Sequence, residues 1–200
     1  MCERLVDFRR ANQAAYPDYF NAPVPSFGSK DASLLIVGLA PGLKGANRTG
    51  RPFTGDFAGD LLYATLVKFG FANGAYDKRP DDGLDLVNCR ITNAVRCVPP
   101  QNKPVGAEEK ACRPFLISTL EEMANLKAIL VLGSLAHGST LSALGLKKSA
   151  YKFGHGAVAE LESGVKLISS YHCSRYNTNT GKLTTEMFED AIRLCRDAVG

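Results

Sequence analysis

Four short apolar segments, alternating with stretches of helical pattern, restrict most strongly how this chain can fold. The apolar segments cover residues 34–38, 88–95, 128–133 and 166–170, and the helical patterns cover 56–69, 107–124, 134–144 and 184–199. Strands that alternate with helices form parallel sheets covered by helices on both faces. We therefore predict an α/β fold: a three-layer α/β/α sandwich with a central, mainly parallel four-stranded sheet.

The length of 200 residues suits one domain with a substantial core. We predict a single domain over residues 1–200, on which residues 1–32 pack as an N-terminal arm made of a helix and an extended segment. Apolar residues recur at helical spacing in the last helical segment, and we expect their face to pack inward. They are Met187, Ala191, Leu194 and Ala198.

The composition excludes some classes of protein. Hydrophobic residues make up 45% of the chain and charged residues 22%, which excludes a disordered or fibrous protein. The net charge of +4 permits a polyanionic partner but does not require one. Apolar stretches stay below the roughly 18 residues of a membrane span, and the charged opening MCERLVDFRR is unlike a secretory signal. We expect a cytoplasmic protein without membrane association, whose six cysteines remain thiols.

The loop after the first strand is unusually rich in glycine, with Gly38, Gly42, Gly45, Gly50 and Gly55 close together. Glycine lets the backbone approach a ligand closely, and parallel sheets bind ligands beyond the carboxyl ends of their strands. The loop matches neither the Walker nor the GxGxxG pattern. We predict a ligand-binding loop, and a mobile surface loop is the alternative.

Two side chains of this loop are candidates for a site. Asp56 precedes an apolar helical stretch, so it fits a plain helix N-cap as well as a site residue. Phe53 is a large ring in a polar loop and needs a partner surface, which a flat ligand would supply.

Polar residues also mark two other strand ends. His172 follows the fourth strand and begins a run of groups that suits phosphates, although a plain surface turn is the alternative. That run is Ser174, Arg175, Asn177, Thr178, Asn179 and Thr180. Asn93 interrupts an apolar strand, and a buried amide needs hydrogen-bond partners. Asn93 is therefore either a satisfied core residue or a group that reads a nucleobase.

Four motifs follow one another along the chain: GLAPG, NRTGRPFTGD, ITNAVRC and SYHCSRYNTNTGKLT. Together they resemble the uracil-DNA glycosylase superfamily, and most of all its type B, or family five, branch. The resemblance extends from Cys2 to the final helix. Family four has an acidic residue in its GEAPG motif, whereas this chain has Leu39 there and carries Asp56 in the next motif, as family five does.

The resemblance implies a base-excision repair enzyme, a monofunctional hydrolase that cleaves the bond between a deaminated base and deoxyribose in DNA. The departing pyrimidine gathers negative charge on O2, so a hydrogen-bond donor must be aimed there. His172 has the position of the family's motif-two histidine and fits this role. By the same resemblance Asp56 positions the attacking water or stabilises the cationic sugar, and Asn93 pairs with the polar edge of uracil.

The resemblance also implies how DNA is held, because the target base must be swung out of the duplex. Phe53 would stack on the everted base. Leu39, Ala40 and Gly42 would line the pocket around that base. The DNA backbone would be contacted by Ser174, Arg175 and Asn177, and nearby phosphates by Asn47 and Arg48.

Leucine at position 39 leaves fewer charged groups to inspect the base, so we expect hypoxanthine and xanthine to be accepted besides uracil. The expected partner is double- or single-stranded DNA that contains deaminated bases, and the expected state is a monomer. One alternative is a non-catalytic, lesion-recognising DNA-binding module of the same fold, which would not need both Asp56 and His172. Another is an enzyme of free nucleotides, which would not need the polar run 174–180.

Three cysteines, Cys2, Cys97 and Cys112, have the positions of cluster ligands in the family, which implies a 4Fe-4S cluster. The family's first cysteine would precede Met1, so the fourth ligand is not evident in this chain. We favour a trimmed chain start. The alternatives are a cluster held by three cysteines and another group, no cluster, or a zinc site.

The remaining cysteines have simpler explanations. Cys89, on the strand that leads to Asn93, could serve as a further ligand, but burial is the simpler explanation. Cys173 and Cys195 have no partner at ligand spacing.

Overall fold

The computed structural model describes residues 2–200. Its strands are β1 (Leu34–Gly38), β2 (Ala72–Asn73), β3 (Asp85–Leu86), β4 (Cys89–Asn93), β5 (Ala128–Leu132), β6 (Val158–Glu160) and β7 (Lys166–Ser170). Its helices are α1 (Glu3–Ala15), α2 (Ala46–Thr49), α3 (Phe57–Lys68), α4 (Gly106–Glu121), α5 (Ser134–Ala143), α6 (Arg175–Asn179) and α7 (Thr185–Val199).

The main sheet has five strands in the order β4-β1-β5-β7-β6. The four predicted strands β4, β1, β5 and β7 are parallel to one another, and Gly38 at the end of β1 lies opposite Asn93 at the end of β4. The α/β fold with a mainly parallel sheet is therefore confirmed.

The predicted number of four strands was too low, because β6 pairs antiparallel with β7 at the edge of the sheet. Its sequence, Val-Ala-Glu, is short, and both of its end residues are exposed. Such an edge strand has no apolar segment that would mark it in the sequence.

The sheet is covered by helices on both faces. Leu34 and Ile36 of β1 point to a core that contains residues of α3 and α7. The alternate residues of β1, Leu35 and Val37, point to a second core that contains residues of α4 and α5. This alternation produces the three predicted layers.

The inward face of α7 differs from the prediction. Its buried residues are Phe188, Ala191, Ile192, Cys195 and Val199. Met187, Leu194 and Ala198 are only partly buried beside this core. Of the predicted residues only Ala191 is buried, and the buried stripe is centred next to the predicted one because β7 and α3 pack against that side of α7.

The described part of the N-terminal arm consists of α1 and an extended segment. The amide of Val24 donates to the carbonyl of Arg96 at 2.8 Å, and Phe27 forms an antiparallel bridge with Ile91. The arm therefore runs along the outer edge of β4, which would otherwise expose unpaired backbone groups. Over residues 2–200, no helix is long and apolar enough to cross a membrane.

Candidate active site

A cavity of about 380 Å³ lies at the carboxyl edge of the main sheet. β1 leads into the loop that begins at Leu39, β4 ends at Asn93, and β7 is followed by Tyr171 and His172. The cavity has the size of a small-molecule site, and this edge is where parallel sheets bind their ligands.

Most of the predicted site residues line this one cavity. Asp56, Asn93 and His172 come from three separate segments and meet there. The other predicted residues in its wall are Leu39, Ala40, Gly42, Phe53, Ser174 and Arg175. Asn47, Arg48 and Asn177 lie outside the wall.

Two glycines of the first loop let the site close tightly. A Cβ on Gly45 would overlap the carboxylate of Asp56, and one on Gly38 would overlap the Asn93 amide and lie 2.6 Å from the Phe53 ring. Any larger residue would push these side chains away. The glycine-rich loop therefore brings the backbone against the site residues themselves.

Asp56 stands at the N-cap position of α3, but its side chain makes no capping hydrogen bond. Its Oδ1 is buried and has no hydrogen-bond partner within residues 2–200. Burial raises the pKa of its carboxyl above the ordinary 3.8; the nearby backbone amides of Gly59 and Ala58 oppose this shift, and the negative charge of Asp60 adds to it. Asp56 is thus a carboxylate in the wall of the cavity, in a position to contact a water or a substrate there.

His172 is held neutral by its surroundings. Burial lowers its pKa below the ordinary 6.5, so the imidazole is uncharged at pH 7. Its ring lies near that of Phe53, with centroids 5.9 Å apart and planes at 29°. A neutral imidazole can donate one N–H to a developing anion without charge of its own.

Asn93 ends β4 and is 6% exposed. Its amide faces the cavity beside Phe53, where Gly38 leaves room for both side chains. An amide offers one acceptor and two donor positions, which can pair with the polar edge of a base. Of the two alternatives for Asn93, its place in the cavity wall favours the base-reading one.

Asn102 is a cavity residue that the sequence analysis missed. It belongs to the 3-10 turn Pro100–Asn102, and Gln101 and Asn102 both have φ of 55°. Two successive left-handed residues other than glycine are uncommon, and strained backbone of this kind clusters at functional sites. The Pro-Pro-Gln-Asn sequence does not mark Asn102 as a site residue, because nothing local tells which way such a loop points.

Comparison with known proteins decides the family. The sequence model of the Uracil DNA glycosylase superfamily matches residues 25–196, which include every element that lines the cavity. The chain belongs to the uracil DNA glycosylase superfamily.

Relatives place the chain within the superfamily. A type-5 uracil-DNA glycosylase of Thermus thermophilus is 41% identical over 205 residues, covering 100% of this chain and 93% of the relative. One of Mycobacterium tuberculosis is 42% identical over 207 residues, covering 100% and 77%. A type-4 uracil-DNA glycosylase of Archaeoglobus fulgidus is 31% identical over 153 residues, covering 74% and 69%. The greater likeness to the type-5 relatives agrees with the prediction of family five.

The last loop of this glycosylase-family chain contributes His172, Ser174 and Arg175 to the cavity wall. Ser174 caps α6, and its hydroxyl accepts a hydrogen bond from the backbone amide of Asn177 at 3.4 Å. Asn177 donates its side-chain amide to the carbonyl of His172 at 2.8 Å, so it fixes the loop that carries the histidine. Arg175 is exposed, with its guanidinium 5.2 Å from the ring centre of Phe57.

The two predicted phosphate contacts in α2 differ in their surroundings. Arg48 is exposed beside Gly55 and remains a candidate. Asn47 is 1% exposed and donates its side-chain amide to Asn21 Oδ1 at 2.9 Å. The prediction of a phosphate contact for Asn47 is therefore not supported, because its side chain is occupied in joining α2 to the N-terminal arm.

The three predicted cluster cysteines collect in one apolar cluster with Leu5 and Val95. Burial raises the pKa of the thiols of Cys97 and Cys112. Over the described residues 2–200, however, no group of three or more His, Cys, Asp or Glu side chains has the arrangement of a metal site. The soft thiol donors suit iron or zinc, but the described residues do not complete a ligand set.

The other three cysteines are buried thiols. Cys89, Cys173 and Cys195 are each 0% exposed. Cys195 donates its thiol to the carbonyl of Ala191 in the same helix.

Proposed function

We propose that this protein hydrolyses the bond between uracil and deoxyribose in DNA and leaves an abasic site. The observation that carries the proposal is that Asp56 and His172, from separate loops, line one cavity together with Phe53 and Asn93. The likeness to proteins named uracil-DNA glycosylase over the whole chain supports it.

The first step is the departure of the base. The bond between C1′ and N1 of uracil breaks, and its electron pair leaves with the base while the sugar becomes cationic. Negative charge collects on uracil O2, and the neutral His172 donates an N–H hydrogen bond there. Such a preorganised donor is worth about 10²–10³-fold in rate. The lowered pKa of His172 supports this role, because a neutral imidazole already carries the N–H that it donates.

The second step is the addition of water. Asp56 holds a water against C1′, its carboxylate stabilises the positive sugar, and the oxygen of the water forms the new bond to C1′. One proton of that water passes to Asp56 and then to the uracil anion at N1. The place of Asp56 in the cavity wall supports this role.

Recognition of the base uses the remaining wall of the cavity. The everted ring lies against the part of Phe53 that faces the cavity, Asn93 pairs with its polar edge, and Leu39, Ala40 and Gly42 surround it. Leucine at position 39 supports a broader substrate range, in which hypoxanthine and xanthine are also released. The non-catalytic DNA-binding module is not favoured, because the relatives are named as glycosylases.

The test is incubation of the purified protein with uracil-containing and inosine-containing duplexes, followed by alkali to cleave abasic sites. We expect strand breaks at the uracil, and breaks at the inosine if the broader range is right. The matched control is the same duplex with thymine in place of uracil. Absence of product from the uracil duplex would refute the activity, and product from uracil alone would refute the breadth.

We also propose that Cys2, Cys97 and Cys112 hold a 4Fe-4S cluster, whose fourth ligand is not evident among the residues described. Their collection in one cluster of side chains supports this proposal. The group would be structural, pinning α1 and the Pro99–Pro100 turn near DNA. Iron and sulfide analysis of protein purified without oxygen tests it. Iron and sulfide whose binding depends on these three cysteines would support the cluster. Stoichiometric zinc in a colourless protein would contradict it.

The finer expectations about partners belong to the same proposal. We propose that the protein is a monomer, which light scattering of the free protein tests. We also propose that it acts on double- or single-stranded DNA, which excision assays with both forms of the substrate test. A cytoplasmic location agrees with thiolate ligation, because cluster ligands must stay reduced.

A further inference from the structure

The polar loop over residues 76–82 lies outside the cavity wall but bonds to the loop that carries the site residues. The hydroxyl of Tyr76 donates to the carbonyl of Phe53 at 3.1 Å and accepts from the amide of Gly55 at 3.1 Å. One hydroxyl thus ties the two peptide groups that lead into Asp56.

A buried ion pair fixes the same two loops to each other. The guanidinium of Arg51 binds both carboxylate oxygens of Asp82, at 2.8 and 2.7 Å, and the two side chains are 5% and 0% exposed. Arg51 also donates from Nε to the hydroxyl of Thr54 at 2.8 Å. Paired, bidentate contacts of this kind impose geometry as well as attraction.

The ion pair and neighbouring amides favour the charged form of Asp82. Burial opposes ionisation, but the hydrogen bonds from Arg51 and from the amides of Asp77 and Leu84 prevail and hold the pKa of Asp82 well below its ordinary 3.8. Asp82 accepts from these amides at 2.9 and 3.1 Å. The 76–82 loop is therefore itself rigid where it holds Arg51.

The loop that is held in this way has a conformation that it would not adopt by itself. Phe53 has φ of 54°, in the left-handed region that a bulky residue avoids, and Gly55 has φ of 94°. Such residues persist only where their surroundings over-determine them. The bonds from Tyr76 fall on these two residues.

Helix α3 also packs closely against the Phe53 carbonyl and the Tyr76 hydroxyl. A Cβ on Gly59 would overlap both the carbonyl of Phe53 and the hydroxyl of Tyr76. The loop is therefore confined between α3 and Tyr76, with little room to move.

We propose that Tyr76, supported by the ion pair of Arg51 and Asp82, is a positioning residue that holds Asp56 in its reactive place. The inference rests on the proposed glycosylase function. Tyr76 does not line the cavity, so it acts through the backbone of Phe53 and Gly55 and not on the substrate.

The test variant is Tyr76→Phe, which keeps the ring that packs 4.7 Å from Tyr63 and removes only the hydroxyl. We expect the single-turnover rate of uracil release to fall about tenfold while affinity for the uracil duplex changes less than about twofold. The control is Thr65→Val on α3, which removes a buried hydroxyl bonded only to the carbonyl of Leu61. The control is expected to keep the wild-type rate.

A double-mutant cycle separates positioning from general destabilisation. If Tyr76 acts through Asp56, its hydroxyl has little left to position once the carboxylate is gone. Tyr76→Phe should then lower the residual rate of Asp56→Asn by less than about twofold. An equal loss in both backgrounds would overturn the proposal.

Hydrogen exchange gives a readout that does not depend on activity. The Gly55 amide should exchange faster in Tyr76→Phe than in the wild type and in Thr65→Val, and unchanged exchange would overturn the proposal. If the wild-type protein released no uracil, the glycosylase function would fail, whereas exchange at Gly55 would still decide whether Tyr76 holds the loop.

Discussion

Replacement of Asp56 by asparagine separates chemistry from binding and folding most cleanly. Asparagine has almost the same shape, so it should fit against Gly45 and keep the cavity wall intact. It cannot accept a proton from water or balance a cationic sugar. Loss of a general base of this kind lowers rates about 10²–10⁴-fold, which corresponds to ~3–5 kcal/mol of transition-state stabilisation.

The same substitution should not weaken folding. Burial raises the pKa of Asp56 in the folded protein, so its ionisation at pH 7 costs folding free energy, and that cost disappears as the pH falls below the unfolded-state value. Its Oδ1 also has no partner to lose among residues 2–200. We therefore expect Asp56→Asn to melt at the wild-type temperature or above it at pH 7.

Three measurements on one preparation check this prediction: single-turnover release of uracil, anisotropy with a labelled uracil duplex, and thermal unfolding. For Asp56→Asn we expect a large loss in the rate of uracil release, an affinity for the uracil duplex within about threefold of wild type, and no loss of thermal stability. Turnover at the wild-type rate would refute the role of Asp56. A loss of rate that merely tracks a lower melting temperature would refute the reasoning from the free carboxylate.

Three further predictions follow from the geometry. Excision should be lost as the pH falls, through an acidic limb that lies above pH 3.8, because Asp56 acts as a carboxylate and burial raises its pKa above that ordinary value; a limb at or below pH 3.8 in a pH series would contradict this. Arg175→Ala should weaken DNA binding and reduce the slope of log affinity against log salt by about 1, and an unchanged slope in a salt titration would contradict a phosphate contact. Gly45→Ala should slow excision strongly, because the added Cβ would displace the carboxylate of Asp56. The control Gly106→Ala adds its Cβ in open space and should keep the wild-type rate. Equal rates of the two variants in single-turnover assays would show that the close approach of Gly45 to Asp56 is unimportant.

The sequence predicted the parts of this fold that have local patterns. Strands β1 and β5 are apolar and buried along their whole length, and β4 and β7 include polar residues but are buried at all positions except one, so each of the four was visible as a short segment with an apolar centre. The edge strand β6 was not, because it is three residues long and mostly exposed. Periodicity also misplaced the buried stripe of α7, since spacing shows that a face exists but the neighbouring helix α3 and strand β7 decide where it lies.

The candidate site was predictable to the extent that its residues belong to motifs. Asp56, Asn93 and His172 were found in this way, and strand order then explains why they meet. The contacts of Tyr76 and Asp82 that hold the glycine-rich loop were not predictable. Tyr76 and Asp82 lie in a polar loop that resembles any surface turn in sequence, and only the folded chain brings them to the glycine-rich loop.

Asn47 illustrates the opposite error. Its place in the NRTGRPFTGD motif suggested a surface contact, but its side chain is buried against Asn21 of the N-terminal arm. A polar residue in a loop can be a structural connector, and its partner lies far away in the sequence.

A crystal structure of the Asp56→Asn variant bound to a duplex with one uracil would test the central claim most directly. The account predicts that the uracil has left the helix and lies in the cavity against Phe53, with O2 accepting a hydrogen bond from His172 and C1′ facing the side chain at position 56. A uracil that stays paired within the duplex, or that binds away from His172, would contradict it.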